Sequence, residues 1–132
     1  MNIRPITSIG FRGGNVKEYN LPNVTKENSH NLEEYNTLTK YTDTDLFIKE
    51  SDRKFNFYMP REKGYEIGLQ KTLEDGTTLE CRHLCRLDKN INGEALESEI
   101  RPGVYNTYSL LLQDIVNYKN HMPLRHSEIK RA

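Results

Sequence analysis

Residues Tyr65 to Leu87 hold two runs of alternating apolar and polar side chains separated by Glu74-Asp75-Gly76. An alternation of period two places every second side chain on one face of a strand. A short segment ending in Gly suits a three-residue hairpin loop, closed by that glycine in the left-handed region as a bulge. The loop length fixes which residues face one another. A three-residue loop opposes Leu73 to Thr77, Lys71 to Leu79, Leu69 to Cys81, Ile67 to His83 and Tyr65 to Cys85. Directly opposed residues of an antiparallel pair share a sheet face, so this register puts the apolar sets together. A two-residue Asp-Gly turn would set Leu69 against an outward residue, and the pattern therefore selects the longer loop.

The same arithmetic extends upstream. A loop at Pro60 to Gly64 opposes Met59 to Tyr65, Phe57 to Ile67 and Phe55 to Leu69. A loop at Ser51 to Lys54 opposes Ile48 to Phe57 and Leu46 to Met59. The expected inner face is then Leu46, Ile48, Phe55, Phe57, Met59, Tyr65, Ile67, Leu69, Leu79, Cys81, Cys85 and Leu87. Agreement among independent local signals is what a foldable sequence shows.

Val104 to Lys119 carries Val104, Tyr108, Leu111, Leu112, Ile115 and Val116 at helical spacing, with Asn106, Gln113, Asp114 and Asn117 opposite. Pro102-Gly103 is read as its start. Glu94 to Arg101 fits either a fifth edge strand or a short helix. Asn31 is placed to cap a short helix in which Leu32, Tyr35, Leu38 and Tyr41 share a face. The expected fold class is α+β: a four- or five-stranded antiparallel meander packed on one face by a C-terminal helix, with a short helix before the sheet. Residues 1–30 are expected to be an extended or disordered arm, 31–120 the domain and 121–132 a flexible tail.

A chain of 132 residues suffices for one core. Its 19 basic and 19 acidic side chains cancel, which removes any bulk field for nucleic acid or an acidic membrane and makes binding a local matter. The sequence has no run of apolar residues long enough to span a bilayer, and its first residues lack a secretory pattern. A cytoplasmic location is the expectation.

Cys81-x-His83-x-Cys85 has the residue types of a zinc or redox site. On a strand, residues four apart are separated by roughly 13 Å at about 3.4 Å per residue. Zinc ligands must all lie within about 2.3 Å of one ion. A Cys-His dyad needs hydrogen-bond reach, which side chains two apart on one pleated face lack. The run reads first as the inner side of a core strand, and no cofactor or metal is expected.

The outer face carries the more distinctive chemistry. The expected registers line up Phe47, Tyr58, Glu66 and Leu84 in one row, and Lys49, Asn56, Gly68 and Arg82 in the next, with Arg86 nearby. Aromatic and arginine side chains around apolar surface are enriched at protein interfaces. Phe47, Tyr58, Arg82, Leu84 and Arg86 are therefore the expected binding residues of a non-enzymatic domain that binds a protein partner or itself, through this face or through the N-terminal arm as a homodimer. The same aromatics and cations suit stacking and phosphate contact in a single-stranded nucleic-acid platform, which is the alternative. A metal or redox site at Cys81, His83 and Cys85 is the second alternative.

Overall fold

A computed structural model describes residues 13–21, 24–25, 27–51, 62–88, 91 and 93–130. Its elements are β1 (Val16–Tyr19), α1 (Leu32–Thr42), β2 (Asp45–Glu50), β3 (Glu62–Thr72), β4 (Thr78–Asp88), α2 (Gly93–Lys119) and β5 (Ser127–Lys130). They form an α+β fold around a five-stranded sheet of order β1-β2-β3-β4-β5. Strands β2 to β5 make an antiparallel meander, and β1 joins β2 in parallel through the crossover helix α1.

The hairpin follows the sequence arithmetic residue for residue. Leu69 lies across from Cys81, Ile67 from His83 and Tyr65 from Cys85. The Leu73 amide donates to the Thr77 carbonyl at 2.7 Å, and Gly76 sits at φ 88°, where a side chain would be strained. Alternation then drives the burial pattern. Leu46, Ile48, Tyr65, Ile67, Leu69, Leu79 and Cys81 are fully buried on the inner face, beneath Leu96, Ile100, Val104, Leu111 and Ile115 of α2 and Tyr35 of α1. Each fully buried Leu or Ile contributes about 1.5–3 kcal/mol, so this one face supplies most of the driving force.

Three expectations are corrected. First, Phe55 to Met59 lies outside the described residues, but β2 pairs directly with β3, setting Ile48 against Ile67 and Leu46 against Leu69. With β4 on the other side of β3, no place remains for a strand between them. The described members of the inner set keep their face, because every second residue of β2, β3 and β4 still faces the helices. Second, Pro102-Gly103 does not start the helix: Glu94 to Arg101 takes the helical one of its two expected forms, and α2 runs on through Pro102. Pro102 is exposed, and Ser98, whose carbonyl loses its intrahelical donor, is also on the solvent side. Third, the expected C-terminal tail contains β5, which pairs with Thr78 to Cys81 of β4. Within the expected arm, residues 16–19 are extended and form β1.

Both edges are tied down by buried carboxylates of α2. Glu97, 1% exposed, accepts hydrogen bonds from Ser29 Oγ at 2.6 Å, the amides of His30 at 2.9 Å and Asn31 at 2.8 Å, and the Tyr19 hydroxyl. Asp114, fully buried, accepts from the amides of Arg125 at 2.9 Å and His126 at 2.7 Å, just before β5. The first clamp holds the start of α1 and the side chain of β1; the second sets the turn that returns the chain to the sheet.

Candidate functional site

Both helices pack on the inner face, and among the described elements none crosses the outer one. Its centre is Gly68, flanked by Phe47 of β2 and Arg82 of β4 in one cross-strand row. A Cβ at Gly68 would lie 3.7 Å from Phe47 Cδ2 and 3.8 Å from Arg82 Cγ, so the two side chains lean over the glycine without closing on it. The shallow depression there has a volume of about 150 Å³ and is bordered by Phe47, Glu66, Gln70, Glu80 and Arg82.

The rows are the expected ones reversed along β2, because β2 meets β3 directly and antiparallel, where an intervening strand would have left the two parallel. Phe47 stands with Gly68 and Arg82, while Lys49 stands with Glu66 and Leu84. Arg82, Leu84 and Arg86 do share the outer face of β4, and Phe47 shares the sheet face with them. Tyr58 lies outside the described residues.

Arg82 is not a free cation. Its Nη1 donates to Glu66 Oε1 at 3.0 Å and its Nε to Glu80 Oε1. Glu80 is only 7% exposed and also receives Gln70 Nε2 at 2.5 Å and an ion pair from Lys130 Nζ at 3.1 Å. Burial works against ionising Glu80, but the donors from Arg82, Gln70 and Lys130 outweigh it and hold the carboxyl below its usual range. The guanidinium is thus fixed in direction, presenting its exposed side beside Phe47 as an oriented feature rather than a mobile charge.

The Cys81, His83 and Cys85 side chains face α2. Cys81 is fully buried and Cys85 is half-buried. Gly103 makes this possible, since a Cβ there would come 2.8 Å from Cys85 Sγ and 2.9 Å from Ile67 Cδ1. Burial pushes both thiols above their usual range. Among the described residues no group of three His, Cys, Asp or Glu is arranged to hold a metal ion.

A larger cleft, about 880 Å³, opens where both helices end. Asp43 at φ 55° closes α1 and His121 at φ 58° follows the end of α2, and both line it. Tyr118 donates to Asp75 Oδ2 at 2.5 Å and pairs with Thr77 Oγ1 at 2.9 Å, while Lys71 Nζ donates to the Thr42 carbonyl at 2.8 Å. The lining gathers charges of both signs, of which Asp45, Lys71 and Asp75 are already held by neutral partners: the Asn15 amide, the Thr42 carbonyl and the Tyr118 hydroxyl. Sequence patterns do not reveal it, because it is assembled from the ends of elements distant along the chain.

No helix among the described residues is long and apolar enough to cross a membrane. Compared with protein-family models, curated proteins and solved structures, the chain matches none.

Proposed function

We propose that this chain is a non-enzymatic protein-binding domain that presents the outer face of its sheet to a partner, with Phe47, Arg82, Leu84 and Arg86 as contact residues. The observation that supports this reading is the row Phe47-Gly68-Arg82, an aromatic ring and an oriented guanidinium on either side of a glycine depression, on the sheet face that neither helix covers. Interfaces draw their affinity from a few such aromatic and arginine anchors. The pairing of Arg82 with Glu66 and Glu80 favours a protein over a nucleic-acid partner, because cations already neutralised by carboxylates release few phosphate counterions.

The test is a photo-crosslinking residue placed at Phe47 and, as a control, at Leu112 of α2, in cells of the native host. A discrete protein adduct from position 47 and none from 112 is the expected result. Equal or absent adducts from both positions would reject the face. Titration with single-stranded oligonucleotides at low salt examines the alternative, and binding that weakens steeply with salt would replace the protein reading with it.

A further inference from the structure

The outer edge of β5, unpaired among the described residues, alternates in a way that makes it complementary to itself. Ser127 and Ile129 lie on the inner side, opposite Cys81 and Leu79, while Glu128 and Lys130 lie on the outer side, opposite Glu80 and Thr78. Ile129 is 50% exposed although it belongs to the apolar face. Glu128 stands directly across from the buried carboxylate Glu80 and forms no ion pair among the described residues, whereas Lys130 reaches Glu80 at 3.1 Å. This edge therefore carries an uncovered apolar side chain, a carboxylate facing another carboxylate, and a lysine beside them.

We propose that β5 pairs antiparallel with β5 of a second copy of this chain about a two-fold axis at Ile129. The backbone permits it. The Leu73–Thr77 bond sets the alternation of the β3–β4 ladder, so Thr78 and Glu80 turn their N–H and C=O to β5, Glu128 and Lys130 turn theirs to β4, and those of Ile129 face outward to bond its mate. In this register Glu128 of each copy faces Lys130 of the other in a non-hydrogen-bonded pair, the arrangement in which opposed side chains are closest. Lys130 then lies between its own Glu80 and its mate's Glu128, and the two Ile129 side chains cover each other on the inner face.

Charge selects this register. Sliding one strand by two residues either way sets Glu128 against Glu128 or Lys130 against Lys130, which like-charge repulsion disfavours. A slip by one would place the two sets of helices on opposite faces of the joined sheet. Short, charged edges usually deter pairing, and a lysine is a common guard. Here the alternation of lysine with glutamate converts the guard into a match for one partner only, its own copy. A ladder this short makes a concentration-dependent dimer rather than a permanent one. The inference does not rest on the outer face binding a partner, although pairing would join two such faces into one ten-stranded surface.

Sedimentation equilibrium of the full chain over a concentration series tests it. The wild type is expected to show a monomer–dimer equilibrium. Glu128→Lys alone and Lys130→Glu alone are each expected to weaken it at least tenfold, while an equimolar mixture of the two restores a dimer, because each lysine again meets a glutamate. A wild type that stays monomeric throughout, a dimer indifferent to both substitutions, or a mixture that stays monomeric would overturn the proposal. Lys130 also contacts Glu80, so a second arm covers the case in which Lys130→Glu fails to fold. Ile129→Cys, in a Cys85→Ser background, puts two sulfurs at the axis with Cα atoms about 5.5 Å apart, within disulfide range. Rapid oxidation to a covalent dimer supports the assignment, and a chain that stays monomeric under oxidation overturns it.

Discussion

Tyr19 and Glu97 are 78 positions apart, and the hydroxyl of one donates to the buried carboxylate of the other. That bond, with those from Ser29, His30 and Asn31, connects the first strand, the start of α1 and the long helix in a single polar junction. Replacing Glu97 by Ala would leave the two amides and the Tyr19 hydroxyl without their acceptor, and Ser29 Oγ with only the Tyr19 oxygen at 3.3 Å. A loss of about 3 kcal/mol is expected, read from the midpoint of urea unfolding. In a double-mutant cycle, Tyr19→Phe should cost much less in the Glu97→Ala background than in the wild type.

Asp114 gives a pH signature. Burial opposes its ionisation, yet the amides of Arg125 and His126, the Ser127 side chain and Asn117 draw its carboxyl from the usual 3.8 down to about 2. A group with a depressed folded pKa stabilises the protein above its unfolded value, and that contribution disappears as the pH falls through the folded one. The Asp114 contribution should therefore be complete above about pH 4 and lost between about pH 4 and pH 2. Asp114→Asn is expected to be less stable at neutral pH and to have a flatter stability profile across that window. An unchanged slope in acid unfolding curves would show that other carboxylates govern it.

Two glycines should respond in opposite ways to alanine. At Gly68 a Cβ finds ordinary contacts of 3.7 Å and 3.8 Å, so Gly68→Ala is expected to leave stability unchanged or raise it by up to about 1 kcal/mol through the unfolded state. At Gly14 a Cβ would fall 1.7 Å from the Thr44 carbonyl oxygen, in a segment whose amide is bonded to Thr39 at 3.0 Å. Gly14→Ala must push β1 away from the end of α1, and thermal melts should show it clearly destabilised.

Tyr35 is fully buried and its hydroxyl has no hydrogen-bond partner among the described residues. An unpaired buried hydroxyl costs about 1–3 kcal/mol, so Tyr35→Phe is expected to stabilise the fold by about 1 kcal/mol. A destabilised variant in denaturant titration would mean that the hydroxyl is satisfied in solution.

The thiols provide a check on the core. Because burial raises both and packs Cys85 against Gly103, Cys81 should not react with a disulfide reagent until the protein unfolds, and Cys85 should react far more slowly than in guanidinium. Fast native labelling of Cys81 would contradict its placement under α2.

The β3–β4 hairpin was legible because its information is local: Glu74-Asp75-Gly76 sets the register, and alternation assigns Leu69, Cys81 and their neighbours to one face. The helix from Val104 was legible for the same reason, through its 3.6-residue period. The row around Phe47 was displaced because its register depended on a strand at 55–59 lying between β2 and β3, and strand order is a long-range choice. Pro102 looked like a boundary because its ring removes one helical bond; packing of Leu96 and Ile100 on the sheet outweighs that loss and carries the helix through. β5 has too few residues to show a period. Local pattern by itself thus determined which face of each strand is apolar and how the hairpin closes. Only the tertiary structure decided which strands are neighbours, that Glu97 and Asp114 clamp the two edges, and that β5 is an edge with no further strand on it among the described residues, because these depend on contacts between residues far apart in the chain.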